Sequence, residues 1–190
     1  MYIQAWSLAL IAMFNWQYSY DVRHSPMDAS HLSVTANETL LSCIYPQDKA
    51  FKKGSKTFPR SELRSLLEPK GLAAYNFSVE IKKLPEGTDY SVWQVFGNGS
   101  PLLMVRHRQG KKQLVVFDGQ PKIQVTQQFP KWCVVDCPKS SVYCEGGYKS
   151  TGTLKCRDSM YFKLGIYNQQ SKPIVKRCVE YGSINYFKLM

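Results

Sequence analysis

Between residues 75 and 84 apolar and polar side chains alternate one for one. Phe77, Val79 and Ile81 fall on one face, and Asn76, Ser78 and Glu80 on the other. A period of two sends successive side chains to opposite faces of an extended strand, and the apolar face must then be covered by a second layer. Turn residues interrupt the chain at short intervals. Pro85-Glu86-Gly87-Thr88-Asp89 closes this strand,. Asn98-Gly99 is a hairpin signal joining strands expected at 90–97 and 102–108, and Gln109-Gly110-Lys111 turns again,. Further strands are expected at 38–45, 113–117, 121–129, 160–168 and 179–189. Residues 60–67, after Pro59, suit either a strand or two helical turns. The lysine-rich stretch 49–57, with Gly54, reads as a loop. Residues 130–157 hold four cysteines and several glycines and look like a stapled excursion between two strands. Many short strands with regular turns predict an all-β fold, a jelly-roll β-sandwich.

A chain of 190 residues with 44% hydrophobic and 21% charged side chains can bury the core that such a sandwich needs,. It suits one domain over 21–190, with no internal repeat or linker. No apolar run reaches the roughly 18 residues of a membrane span, which excludes a multi-span integral protein. Lys and Arg number 25 against 14 Asp and Glu, a net charge of +11. That excess points to a polyanion: nucleic acid, an anionic membrane or an acidic polysaccharide.

The cysteines are Cys43, Cys133, Cys137, Cys144, Cys156 and Cys178. None forms a Cys-x2-Cys pair, and His24, His31 and His107 lie far upstream of the cysteine-rich third, so zinc is a poor reading and no metal or other cofactor is expected,. An even, scattered set fits two or three disulfides, with fifteen pairings open. The sequons at Asn37, Asn76 and Asn98 fit the same secretory route,. Residues 1–20 read two ways. Trp6 to Phe14 has the length of a signal-peptide h-region, while residues 3–10 also suit a first core strand,.

Read as strands, three segments place chemistry on one face. Arg60, Glu62 and Arg64 share a face, with Ser61 and Leu63 opposite,. Two arginines around a glutamate make a carboxylate-binding surface, with Glu62 fixing the guanidinium forks, or else a surface ion-pair row. Gln94 and Phe96 share a face in the second segment. In the third, Tyr161, Lys163, Gly165, Tyr167 and Gln169 line one face and Phe162, Leu164 and Ile166 the other, the wall of a polar cleft backed by core. Gly165 is expected to leave room for a ligand to approach the backbone.

Phe58-Pro59-Arg60-Ser61-Glu62-Leu63-Arg64 resembles the Arg-x-Glu-Leu-Arg block of the alginate lyases of polysaccharide lyase family seven and related polyuronate lyases. Residues 161–169 resemble that family's Tyr-Phe-Lys-Ala-Gly-x-Tyr-Asn-Gln block. Gln94-Val95-Phe96-Gly97 stands where the family has Gln-(Ile/Val)-His-Gly, and Pro101-Leu102-Leu103 with Arg106 is similar to the stretch that follows. The resemblance spans roughly residues 40–189. It implies a jelly roll whose concave sheet forms a groove, and β-elimination at a 4-linked uronate of an acidic polysaccharide, alginate or glucuronan, without a metal.

By that resemblance Arg60 and Gln94 neutralise the C5 carboxylate, with Arg64 and Glu62 in support. Tyr167 is the catalytic acid and, in syn elimination, also the base. Lys163, with Tyr161, Gln169 and Phe96, contacts substrate, and its charge helps lower the Tyr167 pKa from an unperturbed value of about 10. Phe96 departs from the family histidine, and Ser65 stands where glutamate is frequent. His107, on an unbroken two-residue hairpin, shares the Gln94 face but pairs near Tyr90, too distant to replace the missing imidazole. Phe96 leaves two outcomes: Tyr167 acts alone, or the chain is a non-catalytic binder of acidic polysaccharide. Nucleic acid ranks low, since these residues match no common nucleic-acid signature. The expectation is a secreted, monomeric polysaccharide lyase acting neither on nucleic acid nor at a membrane.

Overall fold

The computed structural model describes residues 16–19, 31–48, 59–65, 73–87, 89–97, 100–118, 120–151, 156, 160–169 and 175–189. Among them every regular element is a strand. In chain order these are β1 (Trp16–Ser19), β2 (Leu32–Val34), β3 (Leu40–Ile44), β4 (Arg60–Ser65), β5 (Ala74–Lys83), β6 (Tyr90–Gly97) and β7 (Ser100–Arg108). There follow β8 (Lys111–Asp118), β9 (Gln120–Thr126), β10 (Trp132–Asp136), β11 (Ser141–Cys144), β12 (Tyr148–Ser150), β13 (Met160–Asn168) and β14 (Arg177–Leu189).

They form two seven-stranded sheets. The first runs β1-β4-β13-β6-β7-β8-β9 and the second β12-β11-β10-β5-β14-β3-β2, with antiparallel pairing throughout. Strands distant in sequence lie side by side: β4 against β13, and β5 against β14. The alternation in β5 does what it predicts: Tyr75, Phe77 and Val79 are buried. Phe77 meets the first sheet, its ring lying 4.8 Å from Trp93 and 4.5 Å from Phe162. The expected strands at 90–97 and 160–168 match β6 and β13. Arg60–Ser65 resolves the strand-or-helix alternative as strand.

Residues 130–157 are not an excursion. They supply β10, β11 and β12, the outer part of the second sheet, with β10 paired to β5. Three to five residues per strand, interrupted by glycine and cysteine, leave too little alternation for the sequence to show them. The stapling itself is present. Cys133–Cys144 joins facing residues of β10 and β11, Cys137–Cys156 follows, and Cys43–Cys178 joins facing residues of β3 and β14. β1 falls inside the 1–20 segment and adds to β4. Residues 3–10, the lysine-rich stretch 49–57 and Asn98-Gly99 lie outside the described residues.

Three register shifts shape the first sheet. The β6–β7 register slips by one between Val95 and Phe96, and again between Ser91 and Trp93, and β13 carries a bulge between Leu164 and Tyr167,. The second sheet reaches across to satisfy the freed backbone. The Ser42 hydroxyl donates to the Ser61 carbonyl (2.6 Å) and accepts from the Ile166 N–H (3.3 Å). The fully buried Tyr181 donates to the Val92 carbonyl and is met by the backbone at Gly165.

Candidate active site

The site is built on the face of the first sheet that turns away from the sandwich core. Paired residues of neighbouring strands point to the same side, so the register defines rows across the sheet. One row is Arg60 (β4), Tyr167 (β13), Ser91 (β6), Arg106 (β7) and Gln113 (β8). A second is Lys163, Gln94, Met104 and Val115. Phe96 and Tyr161 face each other one step along. On the opposite face Leu63, Trp93, Phe162, Leu164 and Ile166 belong to the core, as the sequence predicts.

Glu62 is the hub. It is 1% exposed and accepts a 2.7 Å hydrogen bond from Gln94 Nε2 on Oε1. Its Oε2 lies 3.6 Å from Arg60 Nη1 and 3.5 Å from Lys163 Nζ. Arg60 and Lys163 are 7% and 4% exposed. Two buried cations thus share one carboxylate. The Arg60 guanidinium stacks over the Tyr167 ring, 4.0 Å from its centroid.

Lys163 stands four residues before Tyr167 on β13. Besides Glu62 it lies 4.7 Å from the Phe96 ring centroid and 5.8 Å from that of Tyr161, and those two rings are 5.4 Å apart. The cation over the Tyr167 ring is Arg60. Phe96 therefore sits within the constellation as an aromatic wall beneath an ammonium. Arg64 takes the β4 position opposite Lys163. Gln169 lies beyond the network, just past β13, with its N–H bonded to the Asp89 carbonyl at 2.7 Å.

Gly165 has a different reason from the one expected. A Cβ there would meet the Ser61 carbonyl oxygen at 2.1 Å and Glu62 Cα at 2.7 Å, and φ is +140°. The missing side chain admits the backbone of β4, bringing Glu62 against β13, rather than a ligand.

His107 pairs with Tyr90 as expected, but the register slips correct the face it was given. Gln94 pairs with Met104. A one-residue shift inverts which side chains face which way. His107 consequently leaves the Gln94 face; its ring lies 5.5 Å from the buried Tyr90, and its Nδ1 is 3.0 Å from the Gly87 carbonyl oxygen. Arg106 takes the place on the site face. Sequence reasoning passed over Arg106 and Ser91 because the bulges that set their facing carry no composition signal. Among the described residues no three His, Cys, Asp or Glu side chains gather as a metal site would need.

Two stacked antiparallel sheets, with distant strands crossing to lie side by side and a polar, cation-rich outer face on one of them, define a jelly-roll β-sandwich. Its fold is that of the polysaccharide lyase family 7 alginate lyases. The family 7 alginate lyase A1-II′ in complex with product superposes with a TM-score of 0.70 at 12% identity, over 92% of this chain and 95% of that one. AlgAT5, another family 7 alginate lyase, gives 0.65 at 17% identity over 94% and 96%. The alginate lyase from Corynebacterium sp. gives 0.67 at 14% over 94% and 96%. By sequence alone, no family model and no curated protein matches the chain.

Proposed function

We propose that the chain is a polysaccharide lyase that cleaves a 4-linked polyuronate, of alginate or glucuronan type, by β-elimination. The observation that carries the reading is the buried Arg60–Glu62–Lys163 cluster, two cations around one carboxylate, beside Gln94 and Tyr167. A uronate carboxylate is the kind of anion that such a cation-rich cluster suits. Arg60 and the Gln94 amide engage it, which acidifies the C5 proton by stabilising the developing enolate-like charge. Tyr167 oxygen takes that proton, the C4–O4 bond breaks, a C4=C5 double bond forms and O4 leaves with a proton from Tyr167. The Arg60 guanidinium, 4.0 Å from the centroid of the Tyr167 ring, holds that ring in place. One group acting twice suits syn elimination, where proton and leaving group lie on one face of the sugar, and it needs no imidazole at Phe96. Phe96 and Tyr161 provide apolar contact for a sugar ring, with Lys163 over them.

The fold shared with alginate lyases, one of them solved with the substrate GGMG, supports a polyuronate. Three disulfides fit an oxidising, extracellular compartment,. Asn37, exposed in the turn between β2 and β3, is a sequon open to a glycan on a secreted monomer. The test is absorbance near 235 nm during incubation with polymannuronate, polyguluronate, glucuronan and a neutral glucan. A rise with an acidic polymer alone is expected, because the unsaturated uronate absorbs there. Silence across the panel sinks the lyase reading, and retention on an immobilised polyuronate would then assign the chain as a binder. Phe96→His refines the result: higher activity marks Phe96 as a degraded catalytic position, and no gain or a loss marks a site rebuilt around it.

A further inference from the structure

Arg106 is a buried cation that the mechanism above does not use. It is 7% exposed and stands on the site face of β7. Among the described residues its one hydrogen-bond partner is Gln113, whose Oε1 accepts from Nε at 2.9 Å, and no carboxylate lies within ion-pair distance. A buried arginine ordinarily has an acidic partner, since an unpaired charge out of water is costly. Burial, and then the charge of Arg108, push its pKa below the ordinary arginine value, and Asp89 only partly offsets them. Its neighbours along β7 and β8 on this face, Met104 and Val115, show that an apolar side chain would fit there.

Its place in the row is informative. Ser91 alone separates Arg106 from Tyr167 across the sheet. Ser91 is small and buried, and its Oγ has no hydrogen-bond partner among the described residues. Two strand spacings put the backbones of Tyr167 and Arg106 roughly 10 Å apart. That step is within the reach of nearby rings in a 4-linked chain lying across the strands. Gln113 holds Nε and so aims the guanidinium, leaving its terminal nitrogens for a bidentate partner.

We propose that Arg106 is a second carboxylate-binding position, which holds a uronate on the β7 side of the cleaved linkage and makes the site read charge along the chain rather than at one ring. This rests on the polyuronate reading above and extends it to a longer recognition length.

The test uses Arg106→Gln and Arg106→Lys in the full chain. Kinetics at 235 nm are followed on polymer and on size-defined oligouronates, with thermal melts taken with and without oligouronate. A charge-assisted hydrogen bond contributes about 1.5–3 kcal/mol. Arg106→Gln should therefore raise KM on long substrates about tenfold or more with kcat nearly unchanged. The shortest cleavable oligomers should be unaffected. The free variant should melt at or above the wild-type temperature, because a costly charge has been removed, while oligouronate raises its Tm less. Arg106→Lys should fall between, keeping charge and losing the fork.

An unchanged KM on long chains overturns the inference while leaving the lyase reading intact. So does a lower Tm with rates falling equally at every substrate length, the pattern of a merely structural arginine. If the wild type binds oligouronates without cleaving them, the melts decide alone: an equal Tm rise in wild type and Arg106→Gln overturns the inference. If no polyuronate is cleaved by the wild type or shifts its melt, the reading beneath the inference has failed and the inference falls with it.

Discussion

The two sheets divide the labour of the molecule. The first holds Arg60, Glu62, Gln94, Lys163 and Tyr167 with their buried charges, and no cysteine lies in its strands. The second holds the facing cysteines of β3 and β14 and of β10 and β11. Clustered buried charge lowers the stability of the layer that carries it. Cross-links raise the stability of the other layer by restricting the unfolded chain. The contrast teaches that a small sandwich can keep a charged face by fastening the sheet behind it. Ser42 and Tyr181 then transmit that order across the core to the bulged strands.

The largest effect should come from the fastened layer. Cys43→Ala with Cys178→Ala opens a bridge of sequence separation 135, for which the chain-entropy model gives about 5 kcal/mol,. Denaturant unfolding should show that loss, while activity at low temperature survives in the fraction that stays folded. Equal stability with and without the bridge would break the division. Tyr167→Phe should do the converse. Elimination falls about a thousandfold, roughly 4 kcal/mol of barrier, while the melt barely moves. Full activity in this variant would remove Tyr167 from the mechanism.

Glu62→Gln touches both properties. Leaving Arg60 and Lys163 without their counter-charge should cost about 3 kcal/mol, and a bound polyuronate should restore part of it, visible as a larger ligand-induced Tm shift than in the wild type. An equal shift would mean that the cluster does not await an anion.

The smallest effect belongs to the interface between layers. Burial pushes the Tyr90 phenol up to about 12, with Arg177 opposing, and pushes Tyr181 well above its ordinary value. The unfolded phenols titrate near 10. The unfolded state therefore releases protons first, and stability falls as pH rises from about 10 towards 12. Below about 10 both states hold the proton and these groups contribute no slope. Tyr90→Phe should flatten part of that alkaline loss; an unchanged profile would assign it to other groups.

Much of this arrangement was legible in the sequence because it depends on the period of two. Phe77 and Val79 on one face, Arg60 and Glu62 on another, and Tyr161, Lys163 and Tyr167 opposite Phe162, Leu164 and Ile166 all follow from alternation alone. What alternation cannot carry is the extra residue. The slips in β6 and β7 move His107 off the site face and bring Arg106 onto it, and no residue type announces them. Gly165 was visible as a gap, but whether a ligand or a neighbouring backbone fills a gap is decided by β4, far away in sequence. The short strands β10–β12 were hidden by the cysteines and glycines that made their segment look irregular.

The bond between Cys43 and Cys178 also changes what a protease can do to this protein. It closes the chain into a covalent ring that contains every residue from Arg60 to Tyr167 on the site face. A single cut anywhere within that ring leaves both pieces attached, and the severed ends belong to one molecule that can re-form its sheets. Release of a fragment carrying site residues requires two cuts or a reductant. A nicked protein would therefore migrate as an intact chain until it is reduced.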